Sequence, residues 1–244
     1  MMITVLVPYL NTEKYINETL QSLSKQTYKD FNVLCIDNCS KDKSRDIVES
    51  YVSNDPRFSS IEFPYKGKSL ALNHAINQCD SEWLAICDAD DTWLPTKLEK
   101  QVAYIMSSNS SDPDVIGTQM MYIDEESNLK DSKVTLPTTH TEMVNDIVFR
   151  KTNPICNSSV LYKKSIHTTL VGYYNPLIFA VEDYDIWSRC AIAGARFANI
   201  DERLVCHRLH EKSSFNASNK QDYHKVLVDG WSQTLLQIHR KVGK

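Results

Sequence analysis

Three carboxylates, Asp88, Asp90 and Asp91, stand within four residues, directly after the apolar run Trp83-Leu84-Ala85-Ile86-Cys87. A short continuous apolar run reads as a buried strand, so the acids arrive together at its carboxyl end. Like charges this close repel unless a cation sits among them. A hard divalent ion such as Mg²⁺ or Mn²⁺ takes one or two carboxylates together with phosphate oxygens; the competing reading is a solvated acidic turn. A second acidic cluster, Glu182-Asp183-Tyr184-Asp185, opens a stretch of helical spacing in which Asp183, Trp187 and Cys190 share one face. The helix dipole favours an ionised carboxylate at that end, as a general base near neutrality requires. Helix capping would account for the same residue.

The elements that must position these groups alternate regularly. Residues 3–7 read as a strand stopped by Pro8, 13–24 as a helix capped by Asn11 or Thr12, 31–36 as a strand, and about 42–52 as a helix. A short strand over 58–63, a helix carrying Leu70, Leu72, Ala75 and Ile76, and the strand ending at Cys87 complete a parallel α/β layer. Four polar stations then fall at successive strand ends: Pro8-Tyr9-Leu10, Asp37-Asn38, Lys66-Gly67-Lys68 and Asp88-Ala89-Asp90-Asp91. In open α/β sheets ligands bind at that end. A carboxylate or amide after the second strand suits the polar edge of a nucleobase, and Lys68 beside helix N-termini suits a diphosphate.

After Pro95 an amphipathic helix over about 97–106 leads to a polar seam at 107–113. Beyond it the pattern is mixed: strands over 115–123 and 158–162, a helix over 141–149, the acidic-headed helix from Glu182 to Ala193 stopped by Gly194, strands at about 196–199 and 204–208, and a helical tail over 222–239.

Composition narrows the classes. With 244 residues, 42% hydrophobic and 24% charged, the chain can bury a sizeable core, and a net charge of −4 gives no nucleic-acid footprint. No apolar stretch is long enough for a membrane span, and the first residues do not read as a signal peptide, so a cytoplasmic protein is expected. The seven cysteines are odd in number and lack CxxC spacing, which fits reduced core thiols better than zinc ligands.

The ordered set of motifs resembles the inverting family 2 glycosyltransferases of GT-A fold. It comprises Val5-Leu6-Val7-Pro8-Tyr9-Leu10-Asn11, Gln26-Thr27-Tyr28-Lys29-Asp30-Phe31, Ile36-Asp37-Asn38-Cys39-Ser40, Cys87-Asp88-Ala89-Asp90-Asp91-Thr92-Trp93, Glu182-Asp183-Tyr184-Asp185-Ile186-Trp187 and Arg208-Leu209-His210-Glu211. The resemblance implies a Rossmann-like, mostly parallel sheet flanked by helices, with a mixed acceptor-side half and a C-terminal helix. As one GT-A domain, residues 1–95 would bind the nucleotide sugar, 96–215 would carry the acceptor and the catalytic group, and 216–244 would form the tail. It implies a nucleotide-diphosphate donor, UDP-linked, an acceptor hydroxyl on a glycan, and Mn²⁺ or Mg²⁺ as cofactor.

Carried over position by position, Pro8, Tyr9, Leu10, Asp37 and Asn38 line the nucleoside, and Lys68 meets the diphosphate. Asp88, Ala89 and Asp90 form the DxD element, with Asp90, Asp88 and His210 as metal candidates. Asp183 falls at the base position, and Glu182 and Trp187 lie on the acceptor side, where Trp187 walls the acceptor or serves as a core aromatic. Two departures stand out: Asn38 replaces a second Asp of many members, and Leu72 replaces an Arg.

Three other readings compete. Leu84-Ala85-Ile86-Cys87-Asp88-Ala89-Asp90-Asp91-Thr92 also resembles the DxDxT element of aspartate-nucleophile phosphatases, in which Asp88 would attack phosphorus. That element opens its domain, however, and here three strand-helix units precede it. A sugar nucleotidyltransferase would carry a glycine-rich, Arg-containing loop after Val7, and none is present. A non-catalytic sugar-nucleotide module would be favoured only if Asp90 or Asp183 were missing.

Overall fold

A computed structural model describes residues 1–107, 113–178 and 180–211, together with 229, 230 and 234. The expected tail helix over 222–239 and most of the expected seam at 107–113 lie outside the described residues. The chain runs β1 (Ile3–Tyr9), α1 (Ile16–Ser24), β2 (Phe31–Asp37), α2 (Ser44–Asn54), β3 (Phe58–Glu62), α3 (Lys68–Gln78) and β4 (Trp83–Ile86). There follow β5 (Thr92–Trp93), α4 (Lys97–Ser107), β6 (Val115–Ile123), β7 (Leu129–Lys130), α5 (His140–Asn145), β8 (Leu161–Lys163), α6 (Glu182–Ile192) and β9 (Phe197–Arg208).

Among the described residues nine strands join one sheet in the order β3-β2-β1-β4-β8-β6-β9-β5, with β7 beside β6. The first four pair in parallel. Having built outward from β1 to β3, the chain returns to the other side of β1 to lay down β4. The carboxyl ends of β1 and β4 therefore flank a reversal in strand order, the crevice where open α/β sheets bind ligands.

The two faces of the sheet follow from strand alternation. Val5, Val7, Val33, Cys35, Ala85 and Cys87 pack under Ile16, Leu20 and Leu23 of α1, Val48 of α2, and Leu98 and Val102 of α4. The alternate residues Leu6, Leu34, Ile36, Leu84 and Ile86 pack under Ala71, Leu72, Ala75 and Ile76 of α3 and under Ile186, Trp187 and Cys190 of α6. Buried on both faces, these strands have to be continuously apolar, which is how the sequence reads.

Several boundaries differ from expectation for identifiable reasons. Pro8 does not stop β1, which continues to Tyr9. Leu6 and Pro8 point toward β4, and β4 ends at Ile86 after Cys87 has donated to the Leu6 carbonyl. No ladder bond is lost by a residue without an N–H at that place. Neither Asn11 nor Thr12 caps α1 with its side chain. The Thr12 backbone carbonyl accepts from Tyr15 and Ile16, while Asn11, at φ 53°, accepts from the Lys41 N–H.

The helix expected over 141–149 is α5 followed by a π-helical turn at Asp146–Arg150, which ends with Lys151 in the left-handed region. Where a strand was expected over 158–162, Asn157–Ser159 forms a 3₁₀ turn and β8 starts later. The two strands expected after Arg196 are one, β9, whose register against β6 shifts near Thr118–Met120.

Candidate active site

The station after β2 is built inward. Asp37 is buried, its Oδ1 accepting from the Ser40 N–H at 2.8 Å and its Oδ2 from Arg45 Nε and Nη2 at 3.1 and 2.5 Å. Burial and the charge of Asp37 hold the neighbouring Tyr9 phenol well above the ordinary tyrosine range. Asn38 donates its backbone N–H to the Tyr9 carbonyl, and its Oδ1 accepts from the Gly67 N–H at 2.9 Å. Its Nδ2 is buried and has no partner among the described residues. Gly67 takes a φ of 143°, a conformation that side chains disfavour, and so swings the chain directly into α3 and Lys68. Pro8 is buried beside this station, while Leu10 is exposed at its rim. Leu72 is buried in the core and offers no phosphate contact.

Lys68 joins the two ends of the sequence pattern. Its Nζ lies 2.6 Å from Asp88 Oδ1 and 3.4 Å from Glu182 Oε1. Burial alone would lower this ammonium, but Asp88 and Glu182 outweigh it and hold it above the ordinary lysine range. Burial pushes Asp88 up, and Lys68 overcomes that, leaving its carboxyl below the usual range. Asp88 also receives Asn157 Nδ2 at 3.4 Å and donates its backbone N–H to Ser158 Oγ.

Asp90 stands two residues on, in the same turn after β4. Burial and the charges of Asp91 and Asp88 raise its carboxyl, against the bond to His210, whose Nε2 lies 2.8 Å from Asp90 Oδ2. The Tyr15 ring packs against His210 with centroids 4.9 Å apart. Asp91 faces away from the crevice: it is fully buried, with Oδ1 accepting from the Arg208 N–H at 2.9 Å and Oδ2 lying 3.1 Å from His207 Nδ1. Burial opposes charge on His207, yet Asp91 carries the imidazole up to about 9. The short pairing of β5 with β9, Thr92 against Cys206 and Trp93 against Val205, delivers this contact. Asp91 is therefore an internal strut, and only Asp88 and Asp90 of the three clustered acids face the site.

The donor set fits a hard divalent cation held by few protein ligands. Asp90 and His210 supply one oxygen and one nitrogen side by side, and the crowding of Asp90 with Asp91 and Asp88 is the repulsion a cation relieves. Among the described residues no three metal-ligating side chains converge, so phosphate oxygens and water would fill the remaining positions.

Asp183 sits in the first turn of α6, whose N-cap is Val181 and carries no side-chain cap, so Asp183 does not cap the helix. Its Oδ2 accepts from Asn153 Nδ2 at 2.8 Å and its Oδ1 from the Tyr184 N–H at 2.8 Å. The dipole expectation is reversed. Burial and the adjacent Glu182, opposed by Lys68, push the carboxyl up to about 6. Such a group is still ionised near neutrality and is a stronger base than an ordinary aspartate.

Trp187 does not wall the site. Its indole is fully buried and meets Tyr162 edge-on at 5.6 Å, so the stripe through Asp183, Trp187 and Cys190 faces the core and only its Asp183 end is open. The sequence reading passed over Arg45, Asn153 and the role of Arg208. No local periodicity marks them, since each acts through a partner distant in the chain or across a loop.

The model of glycosyl transferase family 2 matches residues 4–170. An uncharacterised glycosyltransferase of Methanocaldococcus jannaschii is 31% identical over 214 residues, covering 86% of this chain and 71% of the relative. The O-antigen biosynthesis glycosyltransferase WbnJ of Escherichia coli is 29% identical, covering 87% and 82%. Among solved structures, TarS of Staphylococcus aureus, residues 1–349 in complex with UDP-GlcNAc, superposes with a TM-score of 0.74 at 22% identity, covering 95% of this chain and 66% of that one. The curled sheet flanked by helices is the GT-A fold of these enzymes. A strand-helix layer built around β1 and β4, with its acids at the strand ends, and the family match over most of the chain lead to one assignment: the chain belongs to glycosyl transferase family 2.

Proposed function

We propose that the protein transfers a sugar from a UDP-linked donor to a hydroxyl of a glycan, with inversion and with the help of a divalent cation. The observation that carries this reading is the state of Asp183. It is a half-buried carboxylate raised to about 6, held through both oxygens and close to the charges of Lys68, Glu182 and Asp88.

Each residue has a part in that scheme. Asn38 Nδ2, a buried donor with no partner among the described residues, gains one from the polar edge of a base, beside Asp37, Tyr9, Pro8 and Leu10. Lys68 neutralises the diphosphate, and Asp88 and Ala89 line the donor sugar. Asp90 and His210 hold the cation, which when bound supplies charge neutralisation for the leaving diphosphate. Asp183 accepts the proton of the acceptor hydroxyl while that oxygen bonds to the anomeric carbon and the bond from that carbon to the phosphate oxygen breaks. Glu182 keeps Asp183 basic and faces the acceptor side.

A thermal-shift panel of UDP- and GDP-sugars with Mn²⁺ tests the donor, since a ligand at 100 times its Kd stabilises by about 2.7 kcal/mol. The UDP reading predicts a shift with UDP-GlcNAc or another UDP-sugar that exceeds the shift with GDP-sugars. The reverse order would refute it.

A further inference from the structure

Asn153 lies outside the motif set, on the connection between the π-helical turn at Asp146–Arg150 and the 3₁₀ turn at Asn157–Ser159. We propose that Asn153 is a positioning residue that fixes the orientation of the Asp183 carboxylate for proton abstraction, an inference that rests on the reading of Asp183 as the base.

The amide is locked at both ends. Asn153 Oδ1 accepts from the Ile155 N–H at 3.3 Å, so the opposite end, Nδ2, must be the group that meets Asp183 Oδ2 at 2.8 Å. The backbone N–H of Tyr184 holds the other oxygen at 2.8 Å. With one lone pair of each oxygen committed to a fixed donor, the carboxylate cannot rotate, and its remaining lone pairs point in set directions. A base that acts only in the transition state gains from that orientation.

The loop is itself held. Asn199 Nδ2 donates to the carbonyls of Pro154 at 2.9 Å and Pro137 at 2.7 Å. Beneath it Gly117 leaves no space: a Cβ there would stand 2.2 Å from Asn199 Oδ1 and 2.5 Å from Ile155 Cγ1. Lys151 enters the loop in the left-handed region, and the Thr152 N–H returns to the Asp146 carbonyl. A chain from β6 through β9 to the loop therefore sets where Asn153 stands. The charged groups acting on Asp183 are Glu182 and Asp88, which raise it, and Lys68, which lowers it. Asn153 adds a neutral donor that favours the ionised form.

The test begins with the ligand-free protein and needs no donor. The Asp183 carboxyl carbon, assigned by its loss in Asp183→Asn, is titrated by ¹³C NMR in the wild type, Asn153→Ala and Asn153→Asp, the last being isosteric should the alanine variant fold poorly. The midpoint should rise in Asn153→Ala, because a donor to the charged form is gone. It should rise further in Asn153→Asp, which places a like charge within hydrogen-bond distance. UDP release from UDP-GlcNAc with Mn²⁺ should fall about ten-fold in kcat for Asn153→Ala, with the donor KM within about two-fold of wild type. Unmoved midpoints in both variants would overturn the proposal. So would unchanged kcat in Asn153→Ala alongside an inactive Asp183→Asn, a result that leaves the base reading standing. Wild-type turnover by Asp183→Asn would instead remove the base reading, and the positioning role with it.

Discussion

Arg208 Nε donates to the backbone carbonyl of Asp90 at 2.8 Å, joining residues 118 positions apart. The same fully buried guanidinium donates to the Asp124 carbonyl at 3.0 Å and Ser127 Oγ at 2.9 Å, and pairs with Glu18 at 2.5 Å. The turn that presents Asp90 is therefore held by the end of β9, the strand that pairs with β5 immediately after that turn.

Replacing Arg208 leaves those carbonyls buried and unpaired. Arg208→Ala should cost about 2–3 kcal/mol, chiefly from the carbonyls it leaves unpaired, since the Glu18 carboxylate is 44% exposed and regains water. Arg208→Lys should recover only part of it, because an ammonium cannot reproduce the planar fork. Urea unfolding measures both, and a loss under about 1 kcal/mol for the alanine variant would show the network to be dispensable.

Asp183→Asn keeps the size of the side chain and removes its basicity. Turnover should drop about 10²–10⁴-fold with donor binding and melting temperature nearly unchanged. On the proposed reading the ionised Asp183 is the active form, and burial and Glu182 raise its carboxyl to about 6, so kcat should fall as pH drops through that value and level off above it. A flat profile from pH 5 to 8 would contradict the assignment.

Asp90→Asn, or chelation of the wild type, should weaken binding of UDP and of the intact donor far more than binding of uridine, because a cation held by Asp90 would neutralise the diphosphate charge that uridine lacks. Parallel calorimetric titrations with uridine and UDP, with and without Mn²⁺, measure this. Equal losses for the two ligands would separate Asp90 from the phosphates.

Lys97 is fully buried, its ammonium 3.7 Å from the centre of the Trp93 ring and 2.9 Å from Gln101 Oε1. Burial lowers it from 10.5 to about 7. The unfolded chain therefore binds the extra proton between those values, and stability should climb as pH rises from about 7 toward 10.5, by up to about 1.4 kcal/mol per pH unit. Lys97→Met should flatten that climb in urea unfolding measured at several pH values, at the cost of leaving Gln101 Oε1 unpaired. The same slope in both proteins would exclude Lys97 as its source.

The sequence by itself determined the parallel layer and its chemistry. Strands buried on both faces must be apolar throughout, and helices that cover them must repeat apolar residues at helical spacing, so β1 to β4 and α1 to α3 are written locally, together with the stations at their ends. Asp37, Lys68, Asp88 and Asp90 could be named because each stands at or just past the end of such a strand, and Asp183 because it falls in the acidic opening of a stretch with helical spacing. Tertiary structure decided what pairs with what. Lys68 spans from Asp88 to Glu182, His210 reaches Asp90, and Asp91, indistinguishable in sequence from its neighbours, turns inward to His207 and Arg208. It also reversed two local inferences. Helical spacing placed Trp187 beside Asp183 but could not say that this face meets Tyr162, and the dipole argument for Asp183 gave way to burial and Glu182. The physical reason is common to both: desolvation and ion pairing depend on which distant segments close over a residue, and local periodicity carries no record of that.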